Sequence, residues 1–212
     1  MSKSKRVREY QKMQDRDRSA DIICKIEEWI EKNPKKMCML SIDGMSASGK
    51  SSLGKELNQK FGGILIHMDD FFLRPEQKSR ERLLEIGGNV DYERVWDEVL
   101  RPIRDGEKQF LYRRYNCKTQ CIQKEERMDV KGLLCIVEGS YSAHPRFGDL
   151  YDIRILLTVN DNVQKERILL RNGQEMQKRF VQEWIPMENR YIEEFDLKEK
   201  SHIIMDTSGL WE

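Results

Sequence analysis

The chain has 212 residues, with 38 Lys and Arg against 37 Asp and Glu, for a formal net charge of +1. That length suits one α/β domain with a sizeable core, and the charge balance argues against a dedicated nucleic-acid binder, which carries a strong basic excess. No apolar run approaches a membrane span, and the opening Met1-Ser2-Lys3-Ser4-Lys5-Arg6 lacks the apolar centre of a secretory signal, so a cytoplasmic protein is expected.

Residues 1–18 read as a solvated helix start. Ser19 is placed to cap a helix to about Asn33, with Ile22, Ile23, Ile26 and Ile30 as its apolar stripe and Pro34 as its stop. Met37 to Ile42 reads as a short buried strand. It runs into Gly44-Met45-Ser46-Ala47-Ser48-Gly49-Lys50-Ser51, which fits G-x-x-x-x-G-K-[ST]. The glycines allow a tight fold in which successive amides turn onto one anion. Lys50 brings a full charge to the β- and γ-phosphates, and the Ser51 hydroxyl is a ligand for Mg²⁺. A helix starting at about Gly49 adds its N-terminal partial charge. Leu53, Leu57 and Phe61 then recur at four-residue spacing, as on one helix face. Gly44, Ser46, Ala47, Ser48, Gly49, Lys50, Ser51 and Ser52 are therefore the expected nucleotide-binding residues.

Gly62-Gly63 breaks the chain before a second strand, Ile64 to Met68, expected to adjoin the first. Asp69-Asp70-Phe71-Phe72 closes it. Ligands of open α/β sheets gather beyond the carboxyl ends of strands, so these acids are well placed to face phosphates. Glu81 to Ile86 reads as helix. Asp91 is placed to cap the next one, from Tyr92 to about Ile103. Phe110 to Asn116 and Thr119 to Glu125 read as an exposed two-stranded ribbon paired across Cys117-Lys118. Leu133 to Val137 is the most apolar strand, and Glu138-Gly139 ends it in the position of a Walker-B segment. Carboxylates there hold Mg²⁺ directly or through water. Ile153 to Val159 is another strand. Asp161 caps a helix that Asn172-Gly173 ends, with Arg167 and Arg171 four apart on one face, as in a lid over phosphates. An aromatic-rich helix over 175–195, kinked at Pro186, precedes a last strand ending at Asp206. The five cysteines, an odd and scattered set, read as free thiols.

With these landmarks in order, the chain resembles the uridine kinase-like branch of the phosphoribulokinase/uridine kinase family, from about Cys38 to Asp206. The resemblance implies an α/β P-loop NTPase fold of the nucleoside/nucleotide kinase kind. Such a fold has a central, mostly parallel sheet flanked by helices, a β-ribbon insertion over about 108–128 and a helical lid over about 167–180. A helical extension, 1–36, would precede the kinase domain, 37–212. The resemblance further implies transfer of the ATP γ-phosphate, with Mg²⁺, to a hydroxyl of a small nucleoside-like acceptor, uridine or cytidine in the founding members. By motif position Asp69 matches the general base, Phe72 a residue near the sugar or base, and Asp91 the acid that holds ribose hydroxyls. Tyr112 matches an aromatic that packs on the base. Lys50, Asp69, Arg167 and Arg171 would act in catalysis, and Ser51, Glu138 and Asp69 around the metal. The sequence departs from the family's pattern at Asp69-Asp70, in place of the usual Asp-Ser, and lacks its histidine near Tyr112. Other hydroxyl acceptors, such as pantothenate, a sugar or a sugar acid, stay open, as does a homo-oligomer. A GTP-binding switch would need an Asn-Lys-x-Asp reader, and Thr158-Val159-Asn160-Asp161 does not supply it. A nucleic-acid-associated ATPase is the remaining alternative.

Overall fold

The computed structural model describes residues 20–34 and 36–209. The stretch 1–18 and the Ser19 cap lie outside the described residues. The elements that position the site begin with helix α1 (20–32), strand β1 (Cys38–Gly44), helix α2 (Lys50–Phe61) and strand β2 (Ile64–His67). A 3₁₀ turn, Met68–Phe71, and short helices α3 (Arg80–Leu84), α4 (Tyr92–Val95) and α5 (Arg101–Arg104) follow. Next come strands β3 (Gln109–Tyr112), β4 (Tyr115–Asn116), β5 (Cys121–Ile122), β6 (Glu126–Asp129), β7 (Leu134–Glu138) and β8 (Ile153–Thr158). Helices α6 (Asp161–Arg179), α7 (Ile185–Glu194) and α8 (Leu197–Lys200) and strand β9 (Ile203–Asp206) complete the chain.

Five strands form a sheet in the order β2-β7-β1-β8-β9, all parallel. Every residue of β1 and β7 is buried, as strands covered on both faces must be. Successive side chains go to opposite faces. Cys38, Leu40 and Ile42 pack with Leu134 and Ile136 under α1 and α2, through Ile22, Ile26, Leu53 and Leu57. Met39, Cys135 and Val137 join Ile64 and Ile66 on the other face, against Val95, Val99, Leu100, Tyr191 and Ile192. The sheet order corrects one expectation. β1 and β2 are not neighbours; β7 lies between them.

The ribbon also differs from its expected form. β3 pairs with β6 and β4 with β5, in antiparallel register, but Tyr112 faces Glu126 while Tyr115 faces Ile122. Two residues on one strand thus oppose three on the other, a bulge that bends the ribbon. Phe110, Tyr112 and Tyr115 are buried instead of projecting. Residues two apart share a strand face, and the face carrying Phe110 and Tyr112 lies on the core.

Two helices contain a π turn, Trp96–Leu100 and Phe180–Trp184, and each is followed by a segment whose second residue is proline, Pro102 or Pro186. A proline ring crowds the carbonyl four residues earlier and offers no N–H to it, so the helix widens there. The cap of α6 is Asn160, whose side chain accepts from the Asn162 amide; Asp161 lies in the first turn. As expected, the helix that starts at Asp161 ends at Asn172-Gly173: Gly173 takes φ 78° and ψ 171°, and a second helix begins directly after it within α6.

His144 is buried, stacked on Tyr92 at 4.3 Å. Its Nδ1 accepts from the Arg146 amide, and its Nε2 lies 3.2 Å from the Ile86 carbonyl. Burial pushes this imidazole down to about 4, against roughly 6.5 for an unperturbed histidine. Between those values the unfolded chain binds a proton that the folded chain refuses. Stability tied to His144 is therefore present above about pH 6.5 and lost as pH falls toward 4. The His144→Phe variant is expected to flatten the acid limb of unfolding free energy by up to about 3 kcal/mol. Urea midpoints at half-unit pH steps measure this; parallel curves for variant and wild type would refute it.

Candidate functional site: a phosphate loop facing two strand ends

β1 ends at Gly44, whose φ is 138°. A Cβ there would lie 2.0 Å from the Leu157 carbonyl oxygen, so the close approach of β1 to β8 admits no side chain. Ala47 (φ 59°) and Gly49 (φ 90°) both take left-handed conformations. Such alternation turns peptide N–H groups into one concavity. The Met45 amide donates to Leu157 O, the Ser48 amide to Met45 O and the Gly44 amide to Asp43 Oδ1. The amides of Ala47, Gly49, Lys50 and Ser51 make no hydrogen bond among the described residues. Four open donors at the start of α2 form an anion nest. Lys50 Nζ donates to the carbonyls of Gly44 and Met45, both at 2.8 Å, at the mouth of this loop.

The register of β7 supplies the second wall. Glu138 stands abreast of Ile42 on one side and His67 on the other. Glu138 is 4% exposed; one oxygen accepts from the Ser51 hydroxyl at 3.1 Å and the other pairs with His67 Nδ1. That bond, with further help from the charges of Glu138, Asp70 and Asp69, raises the His67 pKa despite burial. Ser51 and Glu138 are hard oxygen donors, suited to Mg²⁺, and His67 fixes the carboxylate as an outer partner does. Directly after Met68, Asp69 is exposed to solvent just past the C-terminal end of β2. Crowding by protein raises its pKa; Glu138 and Asp70 add to this, while Lys50 and Arg171 oppose it. The charges of Lys50, Glu138 and Arg171 thus all act on the Asp69 carboxylate, and Ser51 is bonded to Glu138.

Other expected residues are held differently. Arg167 donates to Thr207 O at 2.7 Å and to Ala47 O at 3.3 Å, so it braces the phosphate loop from below. Tyr112 is 2% exposed, its hydroxyl donating to Asp70 Oδ2 at 2.7 Å and accepting from the His67 amide. The ring meets Phe71 and Phe110 edge-on, and the Arg114 guanidinium lies over it. Asp91 is 3% exposed and caps α4 through the Arg94 amide; its other oxygen accepts from Gln77 Nε2 at 3.0 Å. Phe72 is half-buried, bridged to Val90.

Several residues here went unread in the sequence. Asp43 is 1% exposed and accepts from the amides of Gly44, Tyr141 and Ala143 and from the Tyr191 hydroxyl. Burial raises its pKa against those bonds. A charged residue inside a buried strand, directly before the first glycine, was the available signal. Arg94 donates to the carbonyls of Asp70 and Arg113 and lies 3.5 Å from Asp91 and 3.7 Å from Glu98. It ties the turn after β2 to the ribbon. Glu188, on α7, accepts from the amide and hydroxyl of Ser46.

No protein-family model matches the chain, and no curated protein does. Among solved structures, one described as a possible uridine kinase from Bacillus stearothermophilus is similar, with a TM-score of 0.68 at 19% identity. The match covers 91% of this chain and 100% of that one. A weaker likeness, TM-score 0.40 at 13% identity over 80% of this chain and 86% of the other, is to shikimate kinase from Bacteroides thetaiotaomicron. The fold is that of an α/β P-loop NTPase, with a parallel sheet between helices.

Replacing Arg94 by Met keeps most of its stem but removes the cation between two buried acids, leaving Asp91 to Gln77 and the backbone and Glu98 to Arg113. The expected loss is about 3 kcal/mol, the cost of breaking a buried ion pair. Urea unfolding checks it; a loss below about 1 kcal/mol, the size of a surface pair, would show that the cluster is solvated.

Proposed function

We propose that the protein is an ATP-dependent phosphotransferase that moves the γ-phosphate to a hydroxyl of a small molecule. One observation carries this reading: the loop after β1, with Lys50 and Ser51, opens at the same end of the parallel sheet as Glu138 and the Asp69 turn after β2, and Ser51 bonds Glu138 at 3.1 Å. Phosphoryl transfer needs alignment and charge neutralisation more than covalent help. The open amides of Ala47, Gly49, Lys50 and Ser51 would hold the polyphosphate. Lys50 would leave its loop carbonyls to neutralise the leaving oxygens. Asp69 would orient the acceptor hydroxyl and take its proton, and a raised pKa makes it a better base than an ordinary carboxylate. Arg171, beyond Gly173 from the rest of the lid, would cover the transferred group. Mg²⁺ held by Ser51 and Glu138, with Asp69 behind water, would supply Lewis-acid neutralisation of the phosphates.

The acceptor is a separate matter. A pyrimidine nucleoside, as the resemblance implies, would call on Asp91 for its ribose and Tyr112 for its base. Asp91 is 3% exposed and already accepts one bond on each oxygen, and Tyr112 is 2% exposed. This favours a compact hydroxyl compound, such as a sugar, a sugar acid or pantothenate, over a nucleoside.

Lys50→Ala and Asp69→Asn are each expected to lower kcat by at least about 100-fold, as lost electrostatic or acid–base contributions do. An ATP-consumption screen over nucleosides, sugars, sugar acids and pantothenate finds the acceptor against which to measure them. Near-normal kcat in Asp69→Asn would remove Asp69 from the base role.

A further inference from the structure

We infer that Glu188 is a positioning residue for the phosphate loop, holding Ser46 so that the peptide after it presents its N–H to phosphate; this rests on the reading that the loop binds a nucleoside triphosphate. Glu188 is 6% exposed and lies 142 residues from Ser46 in the chain. Its Oε2 accepts from the Ser46 amide at 2.8 Å. Its Oε1 accepts from the Ser46 hydroxyl at 2.6 Å and from the Ser140 hydroxyl at 2.7 Å. Three donors on one buried carboxylate make a firm grip, because each bond is charge-assisted.

The far side of Ser46 is gripped as well. Gln164 Nε2, from α6, donates to the Ser46 carbonyl at 2.9 Å. In a trans peptide the C=O and the following N–H point in opposite directions. With the Ser46 carbonyl turned to α6, the Ala47 amide must turn away from it, and that amide is the first of the four open donors. Ala47 also holds φ 59°, a conformation costly for a residue with a Cβ. Strained backbone persists only where its surroundings over-determine it. The hydrogen bonds to Ser46 from α7 and α6 provide that determination, and without Glu188 the loop is free to relax out of its anion-binding shape.

The test uses the full chain and titrates Mg-ATP and inorganic triphosphate by calorimetry into wild type, Glu188→Ala, Glu188→Gln and Ser46→Ala. Glu188→Ala is expected to weaken both ligands about equally, by at least about tenfold, the worth of one charge-assisted bond. Glu188→Gln should fall between, since glutamine keeps one accepting oxygen and sets an NH₂ against the Ser46 amide. Ser46→Ala, which keeps the N–H, should cost least. Once the acceptor is known, KM for ATP should rise with kcat within about threefold, the pattern of lost uniform binding. Wild-type affinity in both Glu188 variants would overturn the inference alone. Loss of ATP affinity with full retention of inorganic triphosphate would also overturn it, by placing Glu188 at the nucleoside. Should Glu188→Ala fail to fold, Glu188→Gln and Ser46→Ala carry the comparison. A wild-type chain that binds neither ligand would instead overturn the kinase reading on which this one stands.

Discussion

The arrangement of the candidate site depends on the seating of β7 between β1 and β2. Parallel register sets Ile42, Glu138 and His67 in one row, so three strands end together on one side of the sheet. The loop after β1 opens onto that side, and so do Glu138 and the Asp69 turn. Brought side by side, β1 and β2 would leave the Ser51 hydroxyl without its carboxylate neighbour. The apolar run that buries every residue of β7 inside the sheet, between β2 and β1, is therefore also what assembles the polar site. A buried strand ending in an acid delivers that acid to the end of the sheet, here beside the Ser51 hydroxyl.

Burying carboxylates near a phosphate loop is costly unless hydrogen bonds repay the lost hydration. Asp43 illustrates the solution. Three amides and one phenol surround it, and the raised pKa is the residue of a cost not fully offset. Asp43 fixes the entry of the loop, α6 and α7 hold its middle, and α2 fixes its exit. The amides left open, those of Ala47, Gly49, Lys50 and Ser51, are then the few that nothing else among the described residues has claimed.

Much of this was legible in one dimension. The glycine spacing of residues 44–49 states a backbone requirement and needs no partner from elsewhere. Asp69 and Glu138 were legible because each directly follows a run of strand-forming apolar residues. Sheet order was not legible, since sequence neighbours often pair but a crossover can insert a later strand. The ribbon differs from its expected form because Phe110 and Tyr112, two apart, set a buried face, and β6, which pairs with them, starts only at Glu126, beyond the expected strand Thr119 to Glu125. Asn160 and Asp161 are both good cap residues, and only backbone geometry separates them. Arg167 shared the spacing of a lid cation with Arg171 but points to Thr207. Glu188 carried no local signal, because its partners, Ser46 and Ser140, lie 142 and 48 residues away in the chain.

The widened turn at Phe180–Trp184 has a consequence for α7. An α-helix advances about 100° of azimuth per residue. Phe180 and Ile185 are both buried, five residues apart, and the buried positions then continue through Glu188, Tyr191 and Ile192. The additional residue in that turn thus sets the rotational phase of everything after it. Deleting one residue there would leave α7 its length and composition but swing the Glu188 carboxyl about a quarter-turn around the axis.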